Sequence, residues 1–145
     1  MIEKFNSALL CFSVNMPGKN KLSDDAKIIF DAGLDEILNL DLKILETKTD
    51  SRASGFEAII VVDENPLMLK KKALHVEHTH KLGRFMDIDV LDTDKKHISR
   101  ADLSLPPRLC FVCGENAKLC ARSAKHPLNE LLEFIQTEVQ KYIGD

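Results

Sequence analysis

Three observations predict an α+β fold built on a ferredoxin-like βαββαβ sheet-and-helix core. Apolar periodicity over residues 8–91 spells strand, helix, strand, strand, helix, strand, the order of a split βαβ unit. Helix-start signals fall where that order needs them, at Ser23-Asp24-Asp25 and at Asn65-Pro66. With 145 residues and 44% hydrophobic composition, the chain has the material for a single domain with its own core. The expected layout is a core over residues 6–92, then a cysteine-containing loop segment and a C-terminal helix over residues 105–144.

Ala8 to Val14 is an apolar run that reads as a buried strand, broken by Asn15-Met16-Pro17-Gly18. Ser23 caps a helix over Asp24–Leu38, whose Ala26, Ile29, Phe30, Leu34, Ile37 and Leu38 share one face; Gly33 weakens it slightly. Leu40, Leu42 and Ile44 alternate with polar neighbours and predict a short strand ending near Glu46, with a polar linker from Thr49 to Gly55. The β-branched run in Glu57 to Asp63 predicts a buried strand. Asn65-Pro66 opens a second helix with Leu69, Ala73 and Val76 inward, which Gly83 is expected to end. Phe85 to Leu91 alternates as a strand, with Phe85, Asp87, Asp89 and Leu91 on one face and Met86, Ile88 and Val90 on the other. A last helix is expected to start near Pro127, with Leu128, Leu131, Leu132, Ile135, Val139 and Tyr142 on one face.

The net charge of −3 offers no global basic field, so nucleic acid is not expected as a partner, and a polyanionic substrate would need a local patch. The opening MIEKFNSALLCFSVNMPG has neither a basic n-region nor a long apolar run, and nothing approaches the roughly 18 apolar residues of a membrane span. These features point to a cytoplasmic protein whose cysteines are reduced or metal-bound.

The densest chemistry lies in Gly83-Arg84-Phe85-Met86-Asp87-Ile88-Asp89-Val90. Aspartates at i and i+2 of a strand share a face, where both carboxylates can hold one divalent cation such as Mg²⁺ or Mn²⁺. Such a cation neutralises a triphosphate and the charge that moves to leaving pyrophosphate. The competing reading is a solvent-facing strand with two acids. Gly83 and Arg84 precede the pair, Arg100 and Arg108 follow it, and Lys19 and Lys21 lie in the first loop; together they supply a candidate phosphate-binding patch. Lys70-Lys71-Lys72 reads as a solvated face, with docking of an acidic carrier protein as the alternative. Glu77 and His80 are candidate bases, whereas His78 reads as a helix-end charge. Cys110-x-x-Cys113, Cys120 and His126 have the look of a zinc knuckle. The short gaps after Cys113, and His126 next to Pro127, favour a metal-free packed or pocket-lining cluster instead. Cys11 reads as core.

With these residues in view, the chain resembles the holo-acyl-carrier-protein synthases of citrate lyase, the phosphoribosyl-dephospho-coenzyme A transferase family. The likeness rests on Asn15-Met16-Pro17-Gly18, Glu77 with His80, the run Leu82 to Val90, Ser99-Arg100, and the long stretch from Pro107-Arg108 to His126. The resemblance implies a nucleotidyltransferase. It would move the phosphoribosyl-dephospho-CoA group from triphosphoribosyl-dephospho-CoA to a serine of the acyl carrier subunit of citrate lyase, releasing diphosphate. It implies Asp87 and Asp89 as metal ligands and Arg84 as a phosphate contact. Family members are expected to carry an arginine-containing helical stretch ahead of the first strand, whereas this chain starts almost at that strand; His78 and Lys81 also differ from the expected pattern.

Two other readings compete. A ferredoxin-like RNA-binding module needs aromatics on its central strands, where this chain offers Phe12 alone. A non-catalytic, zinc-stabilised adaptor in citrate lyase assembly is the other.

Overall fold

Strand β1 (Ala8–Val14) runs through the middle of the molecule because its even-numbered residues are all apolar. Ala8, Leu10 and Phe12 are buried on one face, while Cys11 and Ser13 point to the other and are half-buried. The computed structural model describes residues 7–144. The expectation about a helical stretch ahead of β1 falls on residues outside that range.

Helix α1 (Asp24–Leu38) has the bounds read from the sequence, and Ser23 Oγ accepts from the Ala26 amide at 3.2 Å. Gly33 does more than weaken it. A Cβ at that position would collide with Phe12 Cζ and lie 3.1 Å from Met86 Cε, so glycine lets the helix sit close on the sheet. Strand β2 (Ile44–Arg52) corrects the expected strand of residues 40–46 and the expected linker of residues 49–55. Leu40 and Leu42 lie in a turn closed by Leu40 N–H to Ile37 O, and pack at the margin of the core. β2 is an edge strand, so its polar side chains meet solvent while its backbone pairs with β3. Strand β3 (Gly55–Val62) follows across the turn residues Ala53 and Ser54.

Helix α2 (Pro66–Thr79) starts on Asn65, whose side chain accepts from Leu67 and Met68 amides. It stops at Thr79, short of Gly83, because His80 takes an extended backbone. Gly83 opens a 3-10 turn, Gly83–Phe85, that leads into β4 (Met86–Leu91). Phe85 is therefore not on the aspartate face of the strand; it is fully buried. A Cβ on Gly83 would come within 2.7 Å of Val76 O and still closer to the Glu77 carbonyl. Backbone atoms of a helix end cannot swing aside. Gly83→Ala is expected to cost about 2–3 kcal/mol, the upper range for overpacking, read as a lower urea midpoint; an unchanged midpoint would contradict this packing.

Two elements had no signal in the sequence reading: strand β5 (His97–Ile98) and helix α3 (Ala117–Ser123). The final helix, α4 (Leu128–Gly144), begins where expected. Only part of its apolar stripe is covered, with Ile135 and Val139 buried and Leu128 and Leu132 largely exposed.

The result is an α+β architecture with a five-stranded antiparallel sheet, ordered β2-β3-β1-β4-β5. One sheet face carries Leu10, Phe12, Ile60, Met86 and Ile88, which share the main core with residues of α1, α2 and α4. Phe12 thus stacks on Phe30 inside the protein, 5.3 Å between centroids, and is not a surface platform for bases. The second face holds a smaller apolar cluster of Leu9 and Val61 with half-buried Cys11, Ile59 and Leu91. Cys11 belongs there and not to the main core.

Candidate functional site

Alternation along β4 puts Met86, Ile88 and Val90 into the core and turns Asp87 and Asp89 to the second sheet face. There they stand opposite Ser13 and Cys11 of β1. Both carboxylates are half-exposed, and Asp89 Oδ1 lies 3.1 Å from His97 Nε2 of β5. Burial and then the charge of Asp89 hold the Asp87 carboxyl above its ordinary pKa, against the pull of Arg108, Lys70 and His97. A carboxyl raised by burial and by a neighbouring carboxylate is the electrostatic setting that a divalent cation relieves.

The 3-10 turn that leads into β4 borders, through Arg84, a cavity of about 520 Å³. One wall is the loop after β1, Asn15 to Gly18, tied to the turn before β4 by the Asn15 amide donating to Phe85 O at 2.8 Å. Three cations line it: Lys21, Arg84 and Arg108. Lys21 donates to Met16 O, and Arg84 lies over the Phe134 ring, 5.8 Å from its centroid. Arg108 donates to the carbonyls of Arg84 and Met86, and its other terminal nitrogen is 4.0 Å from Asp87 Oδ1. This arginine therefore links the cavity to the aspartate pair. The opposite wall comes from the cysteine segment, including Cys110, Cys120 and His126. Phe111 fastens that segment to the core between Phe85 (5.0 Å) and Phe134 (5.6 Å). Lys19 lines a separate cavity of about 360 Å³ beside α4.

Other candidates are engaged elsewhere. β5 pairs with β4 at Val90 and Leu91, so among the described residues Ile88 has no strand partner on that side. Side chains of α2 replace it. Glu77 Oε2 accepts from the Ile88 amide at 2.9 Å, and Lys70 Nζ lies 3.5 Å from Ile88 O. Lys70 is only 5% exposed, which corrects the reading of the lysine triplet as a solvated face. Glu77 is also buried, and its second oxygen pairs with Arg100 at 3.0 Å. Arg100 further approaches His78 Nε2 at 3.4 Å. His80 caps α2, accepts from the Leu82 amide at Nδ1 and packs on Tyr142. Burial holds its pKa below the ordinary histidine value, opposed by Glu36. Gly83 sits under the end of α2, where a Cβ would meet the Val76 and Glu77 carbonyls.

The cysteine segment is not a dispersed set of packed thiols. Cys110, Cys113, Cys120 and His126 each present a donor atom, all within 4.8 Å of one another. The Cys113 thiol is lowered to about 6, first by the Glu115 amide, then by His126, against burial; burial pushes Cys120 up to about 11. The cluster has the form of a Cys₃His metal site, which the sequence reading set below a metal-free one.

The family model for apo-citrate lyase phosphoribosyl-dephospho-CoA transferase matches residues 1–142. The chain belongs to this family. A protein of Vibrio cholerae serotype O1, described as a probable apo-citrate lyase phosphoribosyl-dephospho-CoA transferase, is 36% identical to it, over 97% of this chain and 82% of its own length. Apo-citrate lyase phosphoribosyl-dephospho-CoA transferases of Escherichia coli O139:H28 and Shigella boydii serotype 18 are each 38% identical to it, over 88% of this chain and 72% of their own length.

In this transferase, sequence reading missed Lys70, His97, Phe111 and Glu130. Lys70 had a signal: with Ala73, Leu74 and Glu77 it falls at i, i+3, i+4 and i+7, the buried stripe of α2. Glu130 had one too, four residues after His126. His97 and Phe111 had none, because their partners come from distant parts of the chain. No helix among the described residues is long and apolar enough to cross a membrane.

Proposed function

We propose that the chain acts as one nucleotidyltransferase domain that loads the prosthetic group of citrate lyase. The donor is triphosphoribosyl-dephospho-CoA and the acceptor a serine of the apo acyl carrier subunit. The serine oxygen attacks the α-phosphorus, a phosphodiester forms, and the bond to the departing diphosphate breaks. The observation that carries this reading is the cavity of about 520 Å³ lined by Lys21, Arg84 and Arg108, one guanidinium away from Asp87. Three cations beside two carboxylates on a chain of net charge −3 are a local device for a polyphosphate.

In this reading Arg84 and Lys21 bind the triphosphate, and Arg108 positions it against Asp87. Asp87 and Asp89 fit a Mg²⁺ ion by donor type and shared face. When bound, that ion would supply charge neutralisation on the triphosphate. Glu77 and Arg100 serve the fold instead, since each holds the other. The first six elements read as a ferredoxin-like unit extended by β5; the order β4-β1-β3-β2 within the sheet supports this.

The test is to mix the protein with apo carrier subunit and the triphosphate precursor. Diphosphate and a carrier heavier by one prosthetic group should appear in equal amounts. Carrier binding with no diphosphate would leave only the adaptor reading. Arg84→Lys keeps the charge but loses the planar fork, so precursor affinity should fall about tenfold, the equivalent of ~1.4 kcal/mol. Unchanged affinity in a direct titration would take Arg84 out of the site.

A further inference from the structure

We infer that Cys110, Cys113, Cys120 and His126 form a structural zinc site that builds one wall of the substrate cavity. The donors come from three separate pieces of chain. Cys110 and Cys113 lie in a tight turn closed by the Leu109–Asn116 bridge, in which the Gly114 amide donates to Cys110 O at 2.9 Å. Gly114 has φ +77°, a left-handed conformation that glycine supplies without strain. Cys120 is on α3, and His126 is in the turn before α4. All four donor atoms lie within 4.8 Å of one another, and the Cys113 and Cys120 sulfurs are 3.5 Å apart. Zn–S bonds of about 2.3 Å in a tetrahedron put sulfurs about 3.8 Å apart, so these donors need only small shifts to close on one ion.

A second observation points the same way. His126 Nδ1 lies 3.2 Å from Glu130 Oε1, while its Nε2 is buried with no hydrogen-bond partner among the described residues. One of the two ring nitrogens lies within 4.8 Å of all three sulfurs, and a carboxylate that holds one ring nitrogen while the other ligates is how proteins orient a metal-binding histidine. Three thiolates and one imidazole are borderline-soft donors, which select zinc over the hard cation suited to Asp87 and Asp89. Four protein ligands leave no open position, so the ion is structural. It ties the segment that carries Arg108 and Phe111 to α3 and to the start of α4. The zinc site itself stands independently of the reaction proposed above; only the description of the cavity as the substrate's rests on that reading.

The experiment uses the full chain purified without chelator. Elemental analysis should find about one zinc per chain, and Co²⁺ in its place should give the absorption of tetrahedral thiolate coordination. Cys113→Ser and Cys120→Ser should retain less than about a tenth of that zinc, whereas Cys11→Ser, in β1, should retain all of it. If those variants do not fold, alkylation of the wild type gives the answer: Cys110, Cys113 and Cys120 should react only after chelation. A wild-type chain that neither contains zinc nor takes up added Zn²⁺ would overturn the proposal. So would stoichiometric iron with sulfide, or full zinc retention in a folded Cys113→Ser/Cys120→Ser double variant.

Discussion

Asp87→Asn and Asp89→Asn should each slow prosthetic-group transfer about 10²–10³-fold, the loss seen when one electrostatic contact to a developing charge is removed. Folding should hardly change. Burial and then the neighbouring Asp89 carboxylate raise the Asp87 pKa, so removing its charge relieves a desolvation cost and a repulsion. Asp89 loses an ion pair with His97, but both side chains are about half exposed and such pairs contribute only ~0–1 kcal/mol. The effect therefore belongs to the reaction and not to the scaffold. The measurement is the initial rate of carrier modification across a Mg²⁺ titration. Wild-type rates for both variants at limiting Mg²⁺ would remove the aspartates from the site.

Glu77→Ala should be among the most destabilising single changes, costing about 3–5 kcal/mol, because it strands a largely buried arginine and an edge amide together. Arg100 has a side chain only 19% exposed and Glu77 one 6% exposed, so water cannot replace the missing carboxylate. Glu77→Gln keeps an acceptor for the Ile88 amide and should cost less, about 1–3 kcal/mol. The pair of variants also decides what Glu77 does. As a general base, the glutamine variant would fold and fail to transfer. As the residue that completes the edge of β4, it would fold less stably and transfer normally at low temperature. Chemical denaturation with parallel transfer assays distinguishes them, and wild-type stability of Glu77→Ala would refute the structural role.

Much of the fold was legible because its signals are local. The bounds of β1 and α1, the caps at Ser23 and Asn65, and the two faces of β4 follow from periods of 2 and 3.6 and from capping chemistry. β2 was misplaced for the opposite reason. Residues 47–52 carry no apolar pattern, since an edge strand exposed on both faces is held by backbone bonds to β3 rather than by side-chain burial.

The sequence by itself determined which residues are candidates for chemistry: the Asp87–Asp89 pair on one strand face, the arginines that flank it in sequence, and a Cys/His set whose tight spacing points to a metal-free packed or pocket-lining cluster. Only the tertiary structure decided how they group. It drew Arg84, Arg108 and Lys21 around one cavity, committed Glu77 to Arg100 across 23 positions, and buried Lys70 under the edge of β4. It also brought four donor atoms from three pieces of chain within 4.8 Å. These choices depend on contacts between residues far apart along the chain. Local periodicity records which way a side chain faces, but not what the rest of the chain folds against it.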